Sequence, residues 1–184
     1  MLLGILNAQA TGGGAGAFDL LETTTLASSA SSVTFTGLDA YSDYKHLQIR
    51  AIGRSDKASD SDYIKVFFNA DSAANYSAHR LAGTGSSVIS SGYGSTSFPD
   101  GSYFPAASNT SNIFGVSVID FLDFSSSNKN TTLRASNGFA GSAGNYVALH
   151  SSGWFNSSAV TSLSLNLNSS NFIAGSRFSL YGVK

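Results

Sequence analysis

The chain has 184 residues, 42% of them hydrophobic and 12% aromatic, enough for one domain with a substantial core. Charged residues make up only 11% and the net charge is −1, against roughly 25% charged residues in an average globular protein. No Lys/Arg cluster is present, which excludes the basic face of a nucleic-acid binder, and cysteine is absent, which excludes disulfides and thiolate metal sites and suits a reducing cytoplasm.

The chain opens on MLLGILNAQATGGGAGAF (1–18). Leu2, Leu3, Ile5 and Leu6 form a short apolar tip on a Gly/Ala tether. No Lys or Arg precedes Lys45, and the apolar part is shorter than the roughly 7–15 residues of a signal-peptide core. No later run approaches the about 18 apolar residues of a membrane span. The expectation is a soluble, unexported protein in which an extended N-terminal arm, 1–17, precedes a β domain, 18–184. The tip is expected to bury against a neighbouring subunit or a shell surface, because a bare tether of this composition does not order itself.

From Phe18 onward the pattern predicts strands. SVTFTG (32–37) alternates, with Val33 and Phe35 on one face. HLQIRAIGR (46–54) sets Leu47, Ile49 and Ala51 against His46, Gln48 and Arg50. DYIKVFF (62–68) is β-branched and aromatic, and NADSAAN after it predicts a hairpin returning through YSAHRLAG (76–83). IFGVSVIDFLDF (113–124) is apolar on both faces, the pattern of a buried central strand. NYVALHSSGWF (145–155), TSLSLNLN (161–168) and SRFSLYGVK (176–184) complete the set. The Gly/Ser/Asn/Thr-rich stretches 83–101, 125–131, 136–145, 156–158 and 168–175 read as loops. Pro99 and Pro105 fall in or beside the longest of them, where a missing N–H harms no ladder. Many short strands with such punctuation predict an all-β fold: an antiparallel, jelly-roll-like β-sandwich.

The residues that carry chemistry are sparse. His46, His79 and His150 lack metal-ligand spacing. Asp56, Asp60 and Asp62 read as a solvated hairpin loop between two strands, without the glycine and terminal glutamate of an EF-hand. Asp120 and Asp123 are three apart, so an extended strand sends them to opposite faces, away from a catalytic carboxyl pair. No G-x-S-x-G elbow, complete G-x-G-x-x-G or P-loop occurs. No catalytic, cofactor or metal site is predicted. The aromatics of 83–105, chiefly Tyr93 and Tyr103 with Phe98 and Phe104, and Trp154 at a strand end, read as core caps or subunit contacts. A sugar-stacking role for exposed Tyr is the competing reading.

Three stretches, FDLLETTTLASSASSVTFTGLDAYSDYKHLQIRAIGRS (18–55), FFNADSAANYSAHRLAGTGSS (67–87) and FIAGSRFSLYGVK (172–184), resemble a family of small β-rich virion proteins of tailed bacteriophages. Members are described as tail-fibre, decoration or structural proteins. The resemblance covers both ends of the chain and much of its first half; 88–145 matches less clearly. It implies an oligomeric component of the virion, on capsid or tail, assembled in the host cytoplasm.

Together these readings predict a non-enzymatic capsid cement or decoration protein. Its partners are copies of itself, as a homotrimer, and the major capsid protein or other virion proteins, with no nucleic acid and no membrane. Leu2, Leu3, Ile5, Leu6, Tyr93 and Tyr103 are the candidate partner-binding residues. The alternative is a tail-fibre or receptor-binding module whose 83–105 region touches host glycan. A glycan-active enzyme, a third reading, lacks the paired carboxylates.

Overall fold

Alternation sorts the side chains strand by strand. In a computed structural model describing residues 16–184, the strand Ser61–Phe68 buries every second residue, ending on Ile64, Val66 and Phe68. The strand Ser162–Leu167 does the same with Leu163, Leu165 and Leu167. Such strands need a second apolar face to pack against. The chain supplies it with twelve strands: β1 (Phe18–Thr25), β2 (Ser32–Thr36), β3 (His46–Gly53), β4 (Ser61–Phe68), β5 (Tyr76–Gly83), β6 (Val88–Thr96), β7 (Asp100–Pro105), β8 (Gly115–Leu122), β9 (Thr131–Ala140), β10 (Asn145–Trp154), β11 (Ser162–Leu167) and β12 (Arg177–Val183). They form an eight-stranded sheet, β1-β12-β3-β8-β9-β10-β5-β6, and a four-stranded sheet, β2-β11-β4-β7. All pairings are antiparallel, and the sheets pack as the expected β-sandwich, compatible with a jelly-roll-like arrangement. The arm residues 1–15, with Leu2, Leu3, Ile5 and Leu6, lie outside the described residues.

The two sheets differ twofold in strand number, and this mismatch shapes the molecule. The principal core lies between β2, β11 and β4 on one side and β12, β3, β8 and β9 on the other, filled by Phe35, Leu47, Ile49, Val66, Phe121, Leu165 and Phe178 among others. Trp154, at the end of β10, joins this core. Its ring stacks on Phe68 at 5.4 Å between centroids, and its Nε1–H donates to Asp71 Oδ2 at 2.8 Å. β7 is flanked on both faces. Phe104 points into the principal core against Phe172 and Phe178. Tyr103, its neighbour in sequence, points the other way and stacks on Tyr146 of β10 at 4.6 Å. There Ala82, Ala148 and Tyr146, with Ile89, Tyr103 and Phe139, make a second, smaller cluster.

Three sequence expectations change. The segment after Phe68 is no hairpin: β4 belongs to the small sheet and β5 to the large one, where it pairs with β10 and β6. Asn69 and Ala70 adopt left-handed backbone conformations there, with φ of 52° and 56°. The Asn69 side chain anchors the crossing by accepting from the backbone N–H of Thr161 at 2.8 Å and of Ser162 at 3.1 Å. Turn chemistry specifies a reversal, not which sheet the next strand joins. Second, much of 83–101 is strand β6, followed by β7 from Asp100, and β9 runs on to Ala140, inside the predicted 136–145 loop. Third, β8 is central in its sheet yet covered on one face only: Ile119 and Phe121 are buried while Val116 is exposed.

Candidate functional site

Two surfaces stand out, both consequences of the wide sheet. The first is its outer face. Cross-strand registers place Ile52, Val116, Gly138, Val147, Gly83 and Val88 in one row across β3, β8, β9, β10, β5 and β6. The adjacent row on the same face runs Arg50, Val118, Ser136, Leu149, Leu81 and Ser90. Val147, Leu149, Leu81, Val88 and Val116 are each at least half exposed. The missing side chain at Gly83 leaves a shallow groove of about 270 Å³, walled by Leu81, Val88, Val147 and Leu149. Gly138, Gly83, Ser136 and Ser90 stand between these positions, while Arg50 closes the second row at β3 and the next row holds Asp120, Arg134 and His79, so the uncharged part of the face is centred on β10, β5 and β6. Single exposed aliphatics are ordinary; here Leu81, Val88, Val147 and Leu149 adjoin on three neighbouring strands, with Val116 across Gly138 of β9.

The second surface brings Tyr93 and Tyr103 together. β6 overhangs the small sheet at one edge, and β7 lies beneath it. Between them opens a cleft of about 270 Å³ lined by Tyr63, Ala78, Tyr93, Thr96, Phe98, Asp100 and Tyr103. Tyr93 sits on the inward-facing side of β6, opposite Ala78, and is 52% exposed because nothing of the small sheet reaches over it. The rings form a ladder: Tyr146 against Tyr103, Tyr103 to Tyr63 at 6.1 Å, and Tyr63 stacked on Phe98 at 6.0 Å. Lys65 Nζ lies 4.4 Å over the Phe98 ring.

Polar groups gather under this ladder. Arg80 of β5 donates to the Tyr103 hydroxyl and approaches the Asp100 carboxylate at 4.0 Å. Both charged side chains are nearly buried, 13% and 14% exposed. Burial holds the Asp100 carboxyl above the ordinary carboxylate range against the opposing pull of Arg80, because desolvation disfavours the charged form. Burial likewise raises the Tyr103 and Tyr146 phenols, which stay protonated. Behind Tyr103, His150 Nε2 pairs with Asn137 Oδ1 at 3.0 Å, and Asn137 donates to the Tyr103 carbonyl at 3.1 Å. Desolvation, with a smaller contribution from the Arg80 charge, lowers His150 to about 4. Arg80 Nε, Ser91 Oγ and the Tyr146 hydroxyl have no protein partner. The hydroxyls of Ser102, Ser117, Thr131 and Ser152 are likewise unpartnered, spread along β7, β8, β9 and β10, exceptions to the general satisfaction of buried polar atoms.

The remaining candidates are structural. His79 is exposed on β5, and His46 Nδ1 accepts from the Asp123 N–H at 3.0 Å. Phe104 and Trp154 are core residues. Asp120 accepts from Gln48 Nε2 at 2.7 Å and Arg134 at 3.2 Å, while Asp123 pairs with Lys129. The reading of a solvated acidic hairpin loop is corrected twice: β3 and β4 belong to different sheets, so the connection closes no hairpin, and Asp62 is 1% exposed and accepts from Ser55 Oγ at 2.8 Å, Lys57 Nζ at 3.1 Å and Ser170. Asp62 thereby ties the β3–β4 connection to the segment before β12. Among the described residues no group of three His, Cys, Asp or Glu could hold a metal ion.

Sequence reasoning named Tyr93, Tyr103 and Phe98 but missed Tyr63, Arg80 and Asp100, which reach the cleft from β4, β5 and β7. It also missed the outer face. Its signal was present in β10, where Val147 and Leu149 alternate with Tyr146 and Ala148, and in β8, where two-sided apolarity was read as two-sided burial. In comparisons with protein-family models, curated proteins and solved structures, nothing matches this chain.

Proposed function

We propose that this chain is a non-enzymatic structural protein of a tailed-bacteriophage virion, a capsid cement or decoration protein that works by packing against companions. The observation that carries the reading is the apolar patch on the outer face of β10, β5 and β6 in the eight-stranded sheet, which fits a subunit contact within a homotrimer. Val147, Leu149, Leu81 and Val88 are its centre. The burial of each such side chain contributes about 1.5–3 kcal/mol before ordering costs. The low charge of the chain supports the same reading, since few charges need desolvation when copies pack. The resemblance of 18–55, 67–87 and 172–184 to phage virion proteins supplies the setting. In this reading the apolar tip, Leu2, Leu3, Ile5 and Leu6, engages the major capsid protein, and many weak contacts on one particle add up by multivalency.

The test is addition of the purified chain to empty phage shells, followed by heating. Full-length protein binds the shells and raises the temperature at which they rupture. Removal of 1–17 weakens binding, and Val147→Ser with Leu149→Ser converts the free oligomer to monomer in sedimentation. A full-length chain that neither binds nor stabilises shells ends the cement reading.

A further inference from the structure

We propose that the cleft between β6 and β7 is a binding site for one neutral sugar unit of a longer saccharide, with Tyr93 as its stacking platform and Asp100 and Thr96 as its hydroxyl partners. The assignment is independent of the assembly reading, because the cleft opens at the sandwich edge and shares no lining residue with the apolar groove on the outer face.

The chemistry of the lining selects the ligand class. Tyr93, Tyr63 and Phe98 give the cleft wide apolar walls, and Tyr93 is more than half exposed on an edge strand. A ring that is apolar on its face and hydroxylated at its rim fits such walls, since aromatic faces attract C–H edges. The floor carries an acceptor in the Asp100 carboxylate and a hydroxyl in Thr96. Pyranose hydroxyls both donate and accept, so they satisfy a mixed set of this kind, whereas an aliphatic ligand leaves it unpaired at a cost. Arg80 and Asp100 stand 4.0 Å apart and offset each other, so the floor itself presents no net positive charge; the Lys65 ammonium, 4.4 Å over the Phe98 ring, is a rim charge, which the acidic probe below tests. At about 270 Å³ the cleft is just below the roughly 300–1,000 Å³ of drug-sized ligand sites, which suits one ring with its neighbours running out along the edge.

The experiment uses the full chain with maltohexaose, cellohexaose and chitohexaose as neutral probes and a galacturonic acid oligomer as the acidic one. It is read by saturation-transfer NMR and calorimetry at millimolar sugar. At least one neutral hexaose binds saturably, and Tyr93→Ala weakens it about tenfold, the loss of one good contact. Leu149→Ser leaves sugar affinity unchanged while altering the oligomer, and Tyr93→Ala leaves the oligomer unchanged, so the two surfaces are read separately. Tyr93 is on the surface of an edge strand, so its variant keeps the fold, checked by circular dichroism. Asp100→Asn provides the second variant and weakens the same sugar. The proposal is overturned if no probe binds the wild-type chain, if Tyr93→Ala binds as wild type, or if only the acidic oligomer binds.

Discussion

The two ends of this sandwich solve the same packing problem with different chemistry. In the principal core, every inward position of β4 and β11 past Asp62 is aliphatic or aromatic and meets aliphatic or aromatic partners from β3, β8 and β12. At the β5–β6–β7 edge, the inward positions include Arg80, Ser91, Tyr93, Tyr103 and His150, and several of their polar atoms have no protein partner. The first end is built for stability alone. The second keeps a buried ion pair, a ladder of rings and an open cleft, features that cost stability and that the proposed sugar site would use.

This contrast is easiest to break in the principal core. Phe68 packs its ring against Trp154, Tyr76 and Phe121. Phe68→Ala removes the centre of that cluster and costs about 3–5 kcal/mol by chemical denaturation. A loss near 1 kcal/mol would mean that the core collapses around the vacancy and is less rigid than drawn. The cleft end responds to acid instead. His150 stays neutral down to about 4 when folded, against about 6.5 in an unfolded chain. The unfolded state therefore binds the extra proton between these values. Stability is fully present above about pH 6.5 and falls as pH drops toward 4, by roughly 3 kcal/mol in all. In His150→Gln the slope across that window is lost, and an unchanged slope would show that another group carries it.

Smaller effects sharpen the comparison. Asp100→Asn leaves Arg80 nearly buried beside an amide and costs about 2 kcal/mol. The double variant Asp100→Asn with Arg80→Met recovers part of the loss, because the unpaired charge is gone. Recovery of none of it would assign the pair a net stabilising role. Smallest of all, Leu149→Ser on the outer face changes subunit stability by less than about 0.5 kcal/mol, yet dissociates the oligomer in sedimentation. A large stability loss without dissociation would make that face part of the fold.

Legibility in the sequence followed the same division. Alternation located β2, β3, β4, β11 and β12 within a residue or two, because one face of each strand is largely apolar and the other largely polar; β5 and β10 were found by their β-rich runs between turn residues, although both of their faces carry apolar side chains. β6 and β7 were hidden in 83–105. VISSGYGST and DGSYFP mix small polar residues, glycine and aromatics, with weak intrinsic preference for strand, and they form because β5 and β4 offer edges to pair with. Tyr93 and Tyr103 were noticed as aromatics, but nothing local told that they share a cleft, or that Tyr63 and Arg80 join them from other strands.

The sequence by itself determined that this is an antiparallel β-sandwich with an apolar interior and a neutral surface, since a period of two and an 11% charged content are properties of the chain alone. Only the tertiary structure decided that eight strands would lie on four. Strand pairing over long sequence separations sets sheet width, and no local pattern encodes it. From that one inequality follow both the bare apolar face of the large sheet and the cleft at its overhanging edge.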